Sequence, residues 1–283
     1  MSETTKSRPV SKPLSWRAEL RRQLGRRRTL WVAGIVAVLP LILVAAFSLD
    51  DDPGREGDTT VRLVDLATSG GPNFTVFMLV VSAELLLFIV AALFAGDPVP
   101  AEASWASLRY LLTAPVSRAR LLTSKLVVGF FSTAALVVVL PAWALLVGTL
   151  AYGPQPFSIL GGGEMAWGQW LPRMVIAMGY VLVTIAPVGA FSFWVGVRSQ
   201  TPLAAVGGAL ILLIVSGILD SIDALGDWRK ALPAHYSRAW LDLLVDGPID
   251  WVDLRHGALW SVFYAVLFVA LGYRRFRRQD ILS

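Results

Sequence analysis

The chain has no cysteine and only two histidines among its 283 residues. Without Cys there is no disulfide, no thiolate metal ligand and no thiol nucleophile, and cysteine usage says nothing about redox compartment. His235 and His256, even with Asp253 nearby, match no metal-ligand spacing, so no metal is expected. Lysine is scarce too, 4 against 21 arginines. Charge as a whole is low, at 16% of residues where a soluble domain carries about 25%. No G-x-x-x-x-G-K-[ST] loop is present, which excludes P-loop ATP binding by this chain; "GGGEMAWG" has glycines but no lysine. No internal repeat or low-complexity tract occurs, and no catalytic constellation. The chain reads as a non-enzyme without a bound cofactor.

What is present is apolar sequence: 55% of residues and a mean hydropathy of +0.63. Crossing a bilayer takes about 20 apolar residues at roughly 1.5 Å each. Six segments qualify, near Leu30–Leu49, Phe74–Ala95, Leu126–Tyr152, Met174–Val197, Pro202–Leu219 and Gly257–Tyr273. The fold class is therefore an all-α polytopic membrane protein. Pro40, Pro141 and Pro187 fall inside spans, where neighbouring helices can satisfy the carbonyls they free. With the N-terminus inside, Lys and Arg divide 18 cytoplasmic to 7 outside, and acids divide 5 to 14. The positive-inside rule then places both termini in the cytoplasm. The net charge of +5 is mainly a topology signal and not a nucleic-acid footprint.

Residues 1–13 read as a disordered tail, and the long basic start with "SLDDD" after the first span does not read as a cleaved signal peptide. In "LSWRAELRRQLGRRR", Trp16, Leu20 and Leu24 share one helical face, with Arg17 and Arg21 beside it. That pattern predicts a helix lying in the headgroup plane. Residues 151–172 read as irregular, and 220–256, rich in Trp and acids, as short helices at the outer interface. The sequon at Asn73 abuts a span and reads as chance. Glu84 is the one ionisable group deep in a span, at a cost of about 2.5–3.5 kcal/mol if charged. It is either an interhelical hydrogen-bonding group or a proton or substrate site. The spacings Ala186–Ala190 and Ala204–Gly208 suit close helix packing.

Between the second and third spans lies "GDPVPAEASWASLRYLLTAPVSRARLLTSK". Ser104 can cap a short helix whose Trp105, Leu108 and Leu112 share a face, with Arg109 off it, and Pro115 ends it. A short amphipathic helix tethered to two spans suits a groove on a partner. The motifs "LRYLL", "APVSR", "LL" and Lys125, with "LPAHYSRAW" and the terminal "FRRQDILS", resemble ABC-2 type transporter permeases, whose coupling region commonly reads G-E-x-x-x-G-T-L-x-x-L-L-x-x-P-V-S-R-x-x-L-L-x-x-K. Here Ala101-Glu102 and Ala106-Ser107 stand for the usual Gly-Glu and Gly-Thr.

The resemblance spans residues 14–283 as one transmembrane domain and implies a half-transporter in a bacterial cytoplasmic membrane. Two permeases, identical or paralogous, would pair with separate ATPase subunits that bind ATP and Mg. Glu102, Ser104, Trp105, Leu108, Arg109, Leu112 and Arg118 would contact the ATPase, and efflux of a hydrophobic or amphipathic substrate is the implied activity. Two other readings compete: a proton-coupled secondary transporter using Glu84, and a non-transporting scaffold or immunity protein.

Overall fold

The computed structural model describes residues 16–49, 63–83, 85–96, 118–159, 162–199 and 201–278. Helix α1 (Trp16–Leu24) leads into α2 (Arg27–Ser48); α3 (Leu63–Thr68), α4 (Gly71–Ala83) and α5 (Leu86–Gly96) follow. Then come α6 (Arg118–Tyr152), the short strands β1 (Phe157–Ser158) and β2 (Glu164–Met165), α7 (Trp167–Ser199), α8 (Pro202–Asp220) and α9 (Trp251–Arg278). Two 3-10 stretches, Asp223–Ala231 and Ala239–Leu244, join α8 to α9. Among the described residues, five helices are long and apolar enough to cross a membrane, six if the bent pair α4–α5 counts as one span. These helices mark the chain as a membrane-embedded protein.

Three boundaries differ from the apolar runs. α6, α7 and α9 begin at residues 118, 167 and 251, six to eight residues before the spans read from hydropathy. Helix propensity does not end where apolarity ends, so polar residues such as Arg118 and Gln169 extend the helices beyond the greasy stretch. The second span is corrected as well. It is not one helix over 74–95 but two, bent by 53° where α4 meets α5.

The bundle is organised around α7, which packs on α5, α8 and α9, while α6 packs on α4 and α5. In lipid there is little hydrophobic drive between helices, so close approach depends on small residues. A Cβ on Gly129 of α6 would fall 2.6 Å from the Phe94 carbonyl oxygen of α5. On Gly257 of α9 it would fall 2.0 Å from the Tyr180 hydroxyl of α7. Phe74, Met78, Leu87, Leu140 and Ile185 fill the core between these contacts.

At one end of the bundle, β1 and β2 pair antiparallel with Phe157 opposite Met165. Residues 151–172, expected to be irregular, thus hold a hairpin and the first turn of α7. The reason is local pairing closed by Gly162 and Gly163, both at positive φ. Buried Asn73 docks this hairpin: its Nδ2 donates to the Ser158 carbonyl at 2.8 Å and its Oδ1 accepts from the Ser158 amide at 2.8 Å. That pair of hydrogen bonds explains the Asn of the sequon as a packing residue.

Candidate functional site

Of the residues expected to contact an ATPase, Glu102, Ser104, Trp105, Leu108, Arg109 and Leu112 lie outside the described residues, and Arg118 is the first residue of α6. The structure does describe what this connection is attached to. α5 ends at Gly96 and α6 begins at Arg118. Phe94, near the end of α5, meets Gly129, about three turns into α6. The Ser192 hydroxyl of α7 donates to the Ala92 carbonyl of α5 at 2.8 Å. A Cβ on Gly96 would meet that same Ser192 side chain. Residues 97–117 therefore join α5, whose end is fastened to α7, to α6, which meets α5 further along at Gly129.

Helix α1 carries Trp16, Arg17, Leu20, Arg21 and Leu24 and packs against α6 and α2. Its face toward the protein is rotated from the apolar stripe. Gln23 is the buried residue, whereas Leu24 is 54% exposed and Arg21 and Arg22 are exposed. The Gln23 carbonyl accepts from the Thr29 hydroxyl at 2.6 Å, which fixes the turn into α2. Leu24 is left facing outward beside arginines, as a helix at a headgroup surface requires.

Glu84 lies outside the described residues. The residues around it do not. Val80, Ala83, Phe88 and Thr184 line a water-sized cavity of about 20 Å³ together with Arg238 and Trp240. Arg238, counted as a loop charge in the sequence, thus comes against the bend between α4 and α5. Nothing in its spacing signals this, because the segment that carries it folds back across α7.

A second, larger space opens between α6 and α9. It measures about 340 Å³ and is floored by Ala91, Ala95, Gly189 and Ala190 of α5 and α7, with Phe131 and Val269 on its walls. Ala186 also lines it, so the Ala186–Ala190 spacing faces this cleft. The one hydroxyl on the lining, Thr133, donates to the Gly129 carbonyl of its own helix at 3.0 Å. One turn from Leu126 and Val269 of the lining, the Thr123 and Tyr273 hydroxyls meet at 2.7 Å and tie α6 to α9.

The hairpin end is capped by the segment after α8. The Arg173 guanidinium donates to the carbonyls of Leu243 (3.1 Å), Val245 (2.9 Å) and Gly247 (3.3 Å). The Tyr180 hydroxyl donates to the Tyr236 carbonyl at 2.8 Å. His235 Nδ1 and Asp220 Oδ1 are 2.5 Å apart, which pairs one of the two histidines with an acid. Among the described residues no three His, Cys, Asp or Glu side chains gather as metal ligands. The Asp242 carboxyl is pushed above its usual range, first by burial and then by Asp253 and Asp250. Burial likewise raises the Tyr236 phenol, helped by Asp253.

The opposite end is basic: Arg120, Arg198, Arg274, Arg275 and Arg277 are exposed there.

The chain belongs to the family described as protein of unknown function DUF2705, whose model matches residues 43–282. No curated protein matches it.

Proposed function

We propose that this DUF2705 member is the membrane-spanning permease subunit of an ABC transporter, coupled to a separate ATPase through residues 102–118. The observation that carries the reading is where that motif is attached. It bridges α5, which is fastened to α7 through Ser192, and α6, which meets α5 where Gly129 packs on Phe94. A push on this connection moves α5, α6 and α7 as a unit. α4, by contrast, is tied to the hairpin end by Asn73 and by the Gly71 amide, which donates to the Gly153 carbonyl at 3.0 Å. The 53° bend is then the place where relative motion is absorbed, as helix breaks commonly do in switching proteins. Two conformations that a partner binds unequally are what alternating access requires.

In this reading the arginine end faces the cytoplasm, α1 lies on the membrane surface beside the ATPase, and the capped hairpin end lies outside. The complete transporter is a dimer of permeases with two ATPase subunits in a bacterial cytoplasmic membrane, exporting a hydrophobic or amphipathic substrate. ATP and Mg belong to the partner.

The test is co-purification in detergent of the chain with an ABC ATPase encoded beside its gene. The wild type retains the ATPase; Leu108→Asp/Leu112→Asp loses it while keeping its helical circular dichroism and elution volume. Equal retention by both proteins removes the coupling role. Transport without any ATPase that disappears in Glu84→Gln would favour the proton-driven alternative.

A further inference from the structure

The cleft between α6 and α9 has the size and chemistry of a site for one flexible apolar chain. Its volume is about 340 Å³, and Ala, Gly, Leu, Val and Phe make up all but one of the residues that line it. No charged residue lines it among the described residues, and its one hydroxyl is satisfied within α6. Water finds no polar partners there. Phe130 and Phe131, 47% and 63% exposed, form the rim toward the bilayer.

Charge selects the rest of the occupant. Arg120 is exposed and lies seven residues before Val127 of the lining, hence on the same helical face about 10 Å further along the axis. On the other wall, Arg277 is exposed eight residues beyond Val269. The cleft thus runs through apolar walls to a basic end, where the Thr123–Tyr273 hydroxyl pair closes the gap between the helices. Basic groups at a membrane surface attract anionic headgroups.

We propose that this cleft binds a single acyl chain of an anionic phospholipid, with the headgroup held at the arginine end by Arg120 and Arg277. The site is a property of this chain alone and does not depend on the ATP-coupled reading.

The experiment uses the full chain in nanodiscs containing phosphatidylglycerol with a diazirine in its acyl chain, and the same probe as phosphatidylcholine. After illumination, cross-linked peptides are mapped by mass spectrometry. Labelling is expected to concentrate on α5, α6 and α7 around Ala91, Ala95 and Ala190, and to favour phosphatidylglycerol. Ala265→Phe fills the cleft from α9 and lowers that labelling about tenfold. Val266→Phe, one residue away and 63% exposed, leaves it unchanged. If Ala265→Phe does not fold, Ala265→Leu serves in its place. Arg120→Gln/Arg277→Gln removes the headgroup preference while cross-linking stays on the same peptides. Labelling spread evenly over α2 and α8, or unaffected by filling the cleft, overturns the site. So does a wild type that dimerises, shows no label in the cleft, and becomes monomeric in Ala265→Phe. Equal labelling by the two headgroups overturns the anionic part.

Discussion

Helices α7 and α8 are neighbours of similar hydropathy with opposite fates. α7 has a mean hydropathy of 2.1 over its membrane window and 56% of that window is buried; α8 has 2.4 and 17%. α2, the most apolar at 2.7, is also only 17% buried. In water the greasiest segment would go inside. In a bilayer the lipid satisfies it equally well, so packing goes to whichever surface is small and can hydrogen-bond. α7 supplies Ala177, Thr184, Gly189, Ser192 and Gly196 along its buried side. α8 buries only Ala205, Ala209 and Ser216, and Gly207 and Gly217 have nothing within 4 Å of a Cβ. Glycine content alone does not decide burial; a partner with matching relief does.

The largest way to break this comparison is to add bulk where relief is used. Gly129→Val puts its Cβ against the Phe94 backbone oxygen, which cannot rotate away. The expected loss is about 1–3 kcal/mol or more, seen as reduced monodisperse yield and a lower Tm in detergent. Gly207→Ala in α8, where space is open, should instead be neutral or stabilising by up to about 1 kcal/mol.

Next in size is Arg173→Leu, which removes three guanidinium bonds to the capping segment. A cost of about 1–3 kcal/mol is expected, with faster limited proteolysis between residues 239 and 250 as the local readout. Ser192→Ala sharpens the comparison more gently. It deletes the bond to Ala92 while leaving Gly96 its room, and about 0.6 kcal/mol is the usual worth of such an interhelical bond.

The smallest effect comes from Asp242. Its folded pKa is raised, by burial first and by Asp253 and Asp250 after it. The folded state therefore holds this proton more tightly than the unfolded one, and stability falls as pH rises through the acid range up to the folded pKa. Asp242→Asn should melt slightly higher than wild type at pH 7. The two melting curves should converge as the pH is taken below the ordinary carboxylate range. A gap that widens on acidification would reverse the sign assigned here.

Several features were legible before any coordinates. Runs of apolar residues located the spans because membrane thickness sets a length that sequence shows directly. The arginine-rich helix from Trp16 to Leu24 was legible for the same reason: its period is local. The bend between α4 and α5 was not, since residues 74–95 carry no proline to announce it. The face α1 turns to the protein was not legible either, since the buried residue there is polar Gln23. The partners of Arg238 and Arg173 lie in segments distant along the chain, so no spacing encodes them. The cleft between α6 and α9 is invisible in the sequence for a related reason. It is lined by α5, α6, α7 and α9, and the Thr123–Tyr273 tie beside it joins residues far apart in the chain.

By itself, the amino-acid sequence determined that this chain enters a membrane, roughly where each span lies, and which loops carry which charge, because burial in lipid and charge asymmetry are properties of contiguous residues. Only the tertiary structure decided which helix becomes the centre, where a span breaks, and where a cavity remains. Those outcomes depend on glycines, serines and arginines finding partners far away in the chain, and at equal hydropathy the partners outweigh the residues.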